Sequence, residues 1–204
     1  MSARLITHGC SLAYGHGLAD CFKEENNEAG PVASELSFAN GVARKLNRDC
    51  INTSRPGASN KEIWTKAINF DYNPKDIVII QWTYPDRHIV YNDNGTETEL
   101  APWNDSNASK TYYAQFHSNI DTLNDFYLRL NQLNDFYNNI DIKHINLIPN
   151  NKYYADTPKW NKAVIEPLYI EDICRELNDY ALDNVHPGEK THFAFTRQLY
   201  KILK

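Results

Sequence analysis

Asp76 is followed by Ile77-Val78-Ile79-Ile80, an unbroken run of β-branched residues. A strand with one wet face alternates apolar and polar side chains. A run without alternation belongs to a strand buried on both faces, and such strands lie in parallel sheets covered by helices on each side. The segments around this run agree. Leu5-Ile6-Thr7 reads as a short strand ending at Gly9, and Cys50-Ile51-Asn52-Thr53 as a second one stopped near Pro56-Gly57. Between them, Phe38, Val42 and Leu46 recur at helical spacing. Ser59 or Asn60 is placed to cap a helix that buries Ile63, Trp64, Ala67 and Ile68. A long helix is expected over about 112–138, on the stripe Ile120, Leu123, Tyr127, Leu130, Leu133 and Tyr137. A strand at Ile145–Ile148 is closed by Pro149, and residues from Ile165 to Leu177 are expected to turn helical after Pro167. Pro187 is expected in the first turn of a last helix that buries Phe195, Leu199 and Leu203.

Alternating strands and helices imply an α/β fold, a three-layer α/β/α sandwich with a flavodoxin-like, mostly parallel sheet. The rhythm breaks at about 85–110. His88 to Tyr91 and Thr96 to Leu100 flank Asp93-Asn94-Gly95 and predict a β-hairpin insertion, followed by a polar loop from Ala101 to Lys110. No repeat or linker divides the chain, so residues 1–204 are expected to form one domain. Its oligomeric state is left open.

A net charge of −5 without a basic cluster argues against a nucleic-acid partner. No apolar run approaches the roughly 20 residues of a membrane span. Met1-Ser2-Ala3-Arg4 leads into the first strand without an apolar leader core, so the reading expects a cytoplasmic protein. Cys10, Cys21, Cys50 and Cys174 are scattered and predict reduced thiols rather than disulfides or a zinc cage.

Ligands of such folds bind at the carboxyl ends of the strands. Two segments expected there can carry chemistry. The first is Gly9-Cys10-Ser11-Leu12-Ala13-Tyr14-Gly15, in which a serine follows a strand exit, either as a nucleophile or as a helix cap. The second is Asp183-Asn184-Val185-His186-Pro187, in which a carboxylate three residues before an imidazole can fix its tautomer. A thiolate at Cys10 beside a histidine would also be a sound nucleophile.

Together the segments resemble the first and last sequence blocks of the SGNH (GDSL-like) hydrolase family, G-D-S-L-x-x-G and D-x-x-H, in the same order along the chain. Cys10 stands where the family has Asp, a position whose side chain points back into the protein. Gly57 matches the glycine that follows the family's second strand as an oxyanion donor. The family's G-x-N-D block is replaced by Gln81-Trp82-Thr83-Tyr84, with Thr83 in the Asn position. The resemblance implies Ser11 as nucleophile, His186 as base and Asp183 as its orienting carboxylate. It implies an oxyanion hole of Ser11, Gly57 and Thr83, with Gln81 a second replacement for the missing Asn.

The implied activity is hydrolysis of a small or carbohydrate-borne acyl ester, an acetyl ester first, through an acyl-serine. No cofactor is implied. Acyl transfer by the same triad, and a silent glycan- or protein-binding domain, are the alternatives. Trp82, Tyr84, Arg87, Tyr91 and Trp103 gather around the third strand exit and the hairpin. Trp82, Tyr84 and Arg87 are the candidates for substrate binding, Arg87 through a carboxylate or phosphate, or else paired with Asp86 or Glu97. His8, His16, His88 and His192 show no metal-ligand spacing, and no metal site is expected.

Overall fold

The computed structural model describes residues 3–26, 28–154 and 156–204. Met1 and Ser2, where the reading of an absent leader begins, lie outside the described residues. The elements run β1 (Arg4–Gly9), α1 (Ser11–Tyr14), β2 (Phe22–Lys23), β3 (Glu28–Ala29), α2 (Phe38–Leu46), β4 (Asp49–Asn52) and α3 (Asn60–Ile68). They continue through β5 (Ile77–Gln81), β6 (His88–Tyr91), β7 (Glu97–Leu100), α4 (Asn107–Gln115), α5 (Asn119–Asn139), β8 (Lys143–Leu147), α6 (Ile170–Leu177) and α7 (Glu189–Leu203).

The main sheet has the order β4-β1-β5-β8, all parallel. Numbered within the sheet that order is 2-1-3-4, the doubly wound pattern expected. Every residue of β5 is buried, which is why its sequence does not alternate. Helices α2, α6 and α7 pack together, and α3 packs with α5. The core between sheet and helices includes Leu5, Ile6, Ile79, Ile80, Phe38, Leu130 and Phe195. Each such side chain contributes roughly 1.5–3 kcal/mol by leaving water.

The topological switch lies between β1 and β5, where successive connections leave toward opposite edges. There the register pairs Gly9 with Gln81. A Cβ at Gly9 would meet that of Ala13 at 2.8 Å and that of Gln81 at 3.1 Å, so only glycine lets the two strand exits come this close. The residues after both exits, Ser11 and Thr83, therefore face one crevice.

Three expectations change. The stretch from Ala101 is loop only as far as Ser106, whose hydroxyl accepts from the Ser109 N–H and starts α4. The long helix is two: α4 stops at Phe116, and Ser118 caps a fresh start by accepting from the Asp121 N–H. Tyr127, Leu130, Leu133 and Tyr137 are buried on α5 as expected, but Ile120, in its first turn, is 73% exposed. Pro187 does not sit in the first turn of α7. It precedes the N-cap, Gly188, and pairs with Tyr180 in a β-bridge. Two others hold. Hairpin β6–β7 forms on the Asn-Gly turn, and all four cysteines are free thiols. No described helix is long and apolar enough to cross a membrane.

Candidate active site

Ser11 is the first residue of α1 and is 8% exposed. As a first-turn residue its N–H has no intrahelical acceptor. The second motif folds as a side-chain turn. Asp183 Oδ1 accepts from the N–H groups of Val185 and His186, both at 3.0 Å. Asn184 occupies the left-handed region at φ 56°, which Asn tolerates better than most residues. The loop closes through the Ala181 N–H to the His186 carbonyl, 2.8 Å, and docks on the N-terminal segment through the Leu182 N–H to the Gly17 carbonyl, 3.0 Å. Gly17, at φ +86°, is where the ends of the chain meet: a Cβ there would lie 2.8 Å from the Asp183 carboxyl carbon.

This docking builds a chain of hydrogen bonds. His186 Nδ1 is 2.5 Å from Asp183 Oδ2, and His186 Nε2 is 2.9 Å from Ser11 Oγ. With Nδ1–H donating to the carboxylate, Nε2 is the acceptor for the serine hydroxyl. Burial pushes the Asp183 carboxyl up, but the His186 and Val185 N–H groups and the imidazole outweigh it and hold it below its ordinary value. Cys10 takes no part. It is buried, and its Sγ donates to Gln81 Oε1 at 3.2 Å, so the thiol expected to point inward does so and Gln81 is occupied by it.

Ser11 and His186 open on a cavity of about 580 Å³, lined also by Thr83, Tyr84, Asp86, Arg87, Trp103, Tyr153, Glu171 and Val185. Thr83 is fully buried. Asn60 clamps its backbone, accepting from the Thr83 N–H at 2.8 Å and donating to its carbonyl at 3.2 Å. Its hydroxyl has no partner. Ser59, not Asn60, caps α3. Gly57 is not among the lining residues, and a side chain there would face the Glu99 carboxylate.

Of the three residues expected to bind substrate, two line the cavity. The Tyr84 hydroxyl donates to Glu171, and its ring stands edge-on to Tyr153 and Trp103. Arg87 lies over the Trp103 ring, 5.0 Å from its centroid, and among the described residues no carboxylate pairs with it, neither Asp86 nor Glu97. Trp82 is a correction. It is fully buried, its Nε1–H donates to Asn146 Oδ1 at 3.0 Å, and its ring packs edge-on against Phe126. Side chains alternate between faces at a strand exit, and Trp82 falls on the inner one.

His16 was given no role by spacing alone. Its ring stacks on that of His186, centroids 4.6 Å apart, and burial, with His186 next, lowers its pKa. His16, Asp183 and His186 each offer one ligand atom within 4.8 Å of the others, the one such group among the described residues. Both ring nitrogens of His186 are already engaged by Asp183 and Ser11. Glu171, Tyr153 and Val185 were also missed. Glu171 and Tyr153 arrive from segments far from both motifs, and Val185 lies inside the second motif, where nothing in its residue type marks it.

No protein-family model matches the chain, and no curated protein matches it in sequence. Solved structures do. An acetyl xylan esterase from the rumen bacterium Butyrivibrio proteoclasticus matches over 99% of this chain at 13% identity and a TM-score of 0.58, and this chain spans 63% of that one. A psychrotrophic esterase from Pseudoalteromonas sp. matches over 98% of this chain and 96% of its own at 14% identity and a TM-score of 0.56. A lipolytic protein assigned to the G-D-S-L family, from Desulfitobacterium hafniense, covers 98% of both chains at 11% identity and a TM-score of 0.50. At these identities the likeness is one of architecture, and the chain has the fold of the SGNH, or GDSL-type, hydrolases.

Proposed function

We propose that the protein is a serine esterase that cleaves a small, carbohydrate-borne acyl ester, acetyl first, through an acyl-serine. One observation carries this reading: Ser11 Oγ lies 2.9 Å from His186 Nε2 while the other ring nitrogen is held by Asp183. An isolated serine is a weak nucleophile, and this contact supplies its base.

In the reaction Ser11 Oγ attacks the ester carbonyl and His186 Nε2 takes its proton. The Asp183 carboxylate stabilises the imidazolium. The tetrahedral intermediate collapses as His186 returns the proton to the departing alcohol oxygen, leaving Ser11 acylated. A water then gives its proton to His186 and attacks the acyl carbon, and the carboxylic acid leaves with Ser11 restored. The negative oxygen of each intermediate needs donors. The Ser11 N–H and the unpartnered Thr83 hydroxyl fit this need, the hydroxyl standing in for the amide of the family's Asn. Gly57 is left out of the set because the cavity does not reach it.

The carbohydrate part of the reading rests on Trp103, which is 57% exposed on the cavity wall beside Tyr84 and Tyr153. The face of the ring that Arg87 does not cover is suited to stacking a sugar ring. It agrees with the acetyl xylan esterase among the structural neighbours. Release of acetate from acetylated xylo-oligosaccharides, followed by product analysis with and without added sugar acceptor, tests it. Free acetate in both arms is expected. Acetyl passed to the acceptor would make the protein a transferase, and no turnover of these or of an aryl acetate would leave a binding domain.

A further inference from the structure

The cavity that holds the serine also holds a guanidinium without an anion. Arg4, Arg55 and Arg129 each grip a carboxylate with two parallel hydrogen bonds, from Asp76, Glu62 and Asp125. Arg129 makes the comparison closest. It lies over the ring of Trp64, 5.2 Å from its centroid, and holds Asp125 at 2.8 and 2.9 Å. Arg87 lies over Trp103 in the same manner, yet its Nε and Nη1 are shut off from solvent with no hydrogen-bond partner. Dry, unpaired guanidinium nitrogens are costly. The three paired arginines each use Nε with Nη2, and at Arg87 a two-oxygen anion would pair Nη2 with one of the two unpartnered nitrogens.

The neighbouring acids do not supply that anion. Glu171 is taken by the Tyr84 hydroxyl and by Asn150 Nδ2. Asp86 has an unpartnered Oδ1 of its own and lies beyond ion-pair distance of Arg87; burial raises its pKa, with the charges of His117 and Arg87 opposing the rise. Arg175, the other cation on the wall, is held by Asp172. Arg87 and Trp103 line the same cavity as Ser11 and His186.

We propose that the alcohol part of the substrate carries a carboxylate, taken by the Arg87 guanidinium, with its sugar ring against Trp103: the substrate class is an acyl ester of a uronic-acid-containing carbohydrate. This rests on the esterase reading above and narrows it.

The test uses a matched pair of O-acetylated methyl glycosides, one a glucoside and one a glucuronoside, with an O-acetylated sugar phosphate as a third substrate and an aryl acetate as control. Wild type should favour the glucuronoside over the glucoside in kcat/KM by about tenfold or more. Arg87→Ala should bring that ratio close to one, and Arg87→Lys, which keeps charge but not the fork, should keep part of it. A wild-type ratio near one overturns the proposal, as does an Arg87→Ala variant that slows both glycosides equally. Preference for the phosphate ester over both would overturn the carboxylate assignment. If wild type cleaves neither glycoside nor the aryl acetate, it is the esterase reading that fails. Calorimetry with the unacetylated methyl glycosides then decides: at least tenfold tighter binding of the glucuronoside, lost in Arg87→Ala, upholds the anion site, and equal affinities overturn it.

Discussion

The two walls of the cavity are built on different principles. On the serine side the polar side chains are spoken for. Ser11, His186 and Asp183 bond in series, and Asp183 is fixed further by two backbone N–H groups. Farther along the lining, Asp86 Oδ1 and two nitrogens of Arg87 have no partner, and between the two sides the Thr83 hydroxyl has none either. A buried polar atom without a partner costs about 1–3 kcal/mol. The first wall is complete without a ligand, and the second is one that a ligand would complete. Chemistry assigned to the first and recognition to the second is the division the following measurements sharpen or break.

The largest effect belongs to the serine side. Ser11→Ala and His186→Ala should each lower kcat on an aryl acetate by about three orders of magnitude or more, with KM little changed, and the double variant should be no worse than either. Additive losses would show that the two side chains do not act as a unit. Thr83→Val is the test at the border of the two walls. Removing the hydroxyl while keeping the shape should lower kcat by about a hundredfold to a thousandfold, the cost of one oxyanion donor. An unchanged kcat would move Thr83 out of the oxyanion hole.

Acid should act on the stability of the whole fold. His192, on α7 behind the Asp183–His186 turn, accepts from the Phe38 N–H at 3.0 Å, and burial lowers its pKa from 6.5 to about 4. It is neutral in the fold but takes up a proton in the unfolded chain below its ordinary pKa, so stability is full above that value and falls as the pH drops toward the folded one. His192 accounts for a loss of about 2 kcal/mol between pH 7 and pH 5, and buried His8, lowered to about 3, adds to it. In urea titrations His192→Gln should therefore lose about 2 kcal/mol less than wild type over this range. An equally steep loss in the variant would place the acid sensitivity elsewhere. The smallest effect is on recognition. Trp103→Ala should raise KM for an acetylated oligosaccharide several-fold while leaving the urea midpoint in place. Trp82→Phe should do the reverse, because its ring is core.

Much of this was legible in the sequence because it is local. The burial of β5 shows as an absence of alternation. The Asp183 turn is written in a short acid, an Asn that tolerates positive φ and a histidine three residues on. Ser11 is marked by Gly9 and a strand exit. What was not legible depends on partners distant in the chain. Periodicity extends one helix over about 112–138 although the Ser118 cap divides two helices there. Trp82 and Tyr84 look alike in the sequence. One finds Asn146 and Phe126 on the inner face and the other Glu171 in the cavity. The stacking of His16 on His186 requires the two chain ends to meet, and the empty grip of Arg87 appears only beside three arginines that are paired.

The central claim is that Ser11 is a nucleophile activated by His186. Incubation with a fluorophosphonate probe, followed by peptide mapping, tests it most directly. Wild type should carry one label, on Ser11, and both Ser11→Ala and His186→Ala should stay unlabelled. A folded wild type that takes no label, or takes it at Cys10 or elsewhere, would contradict it.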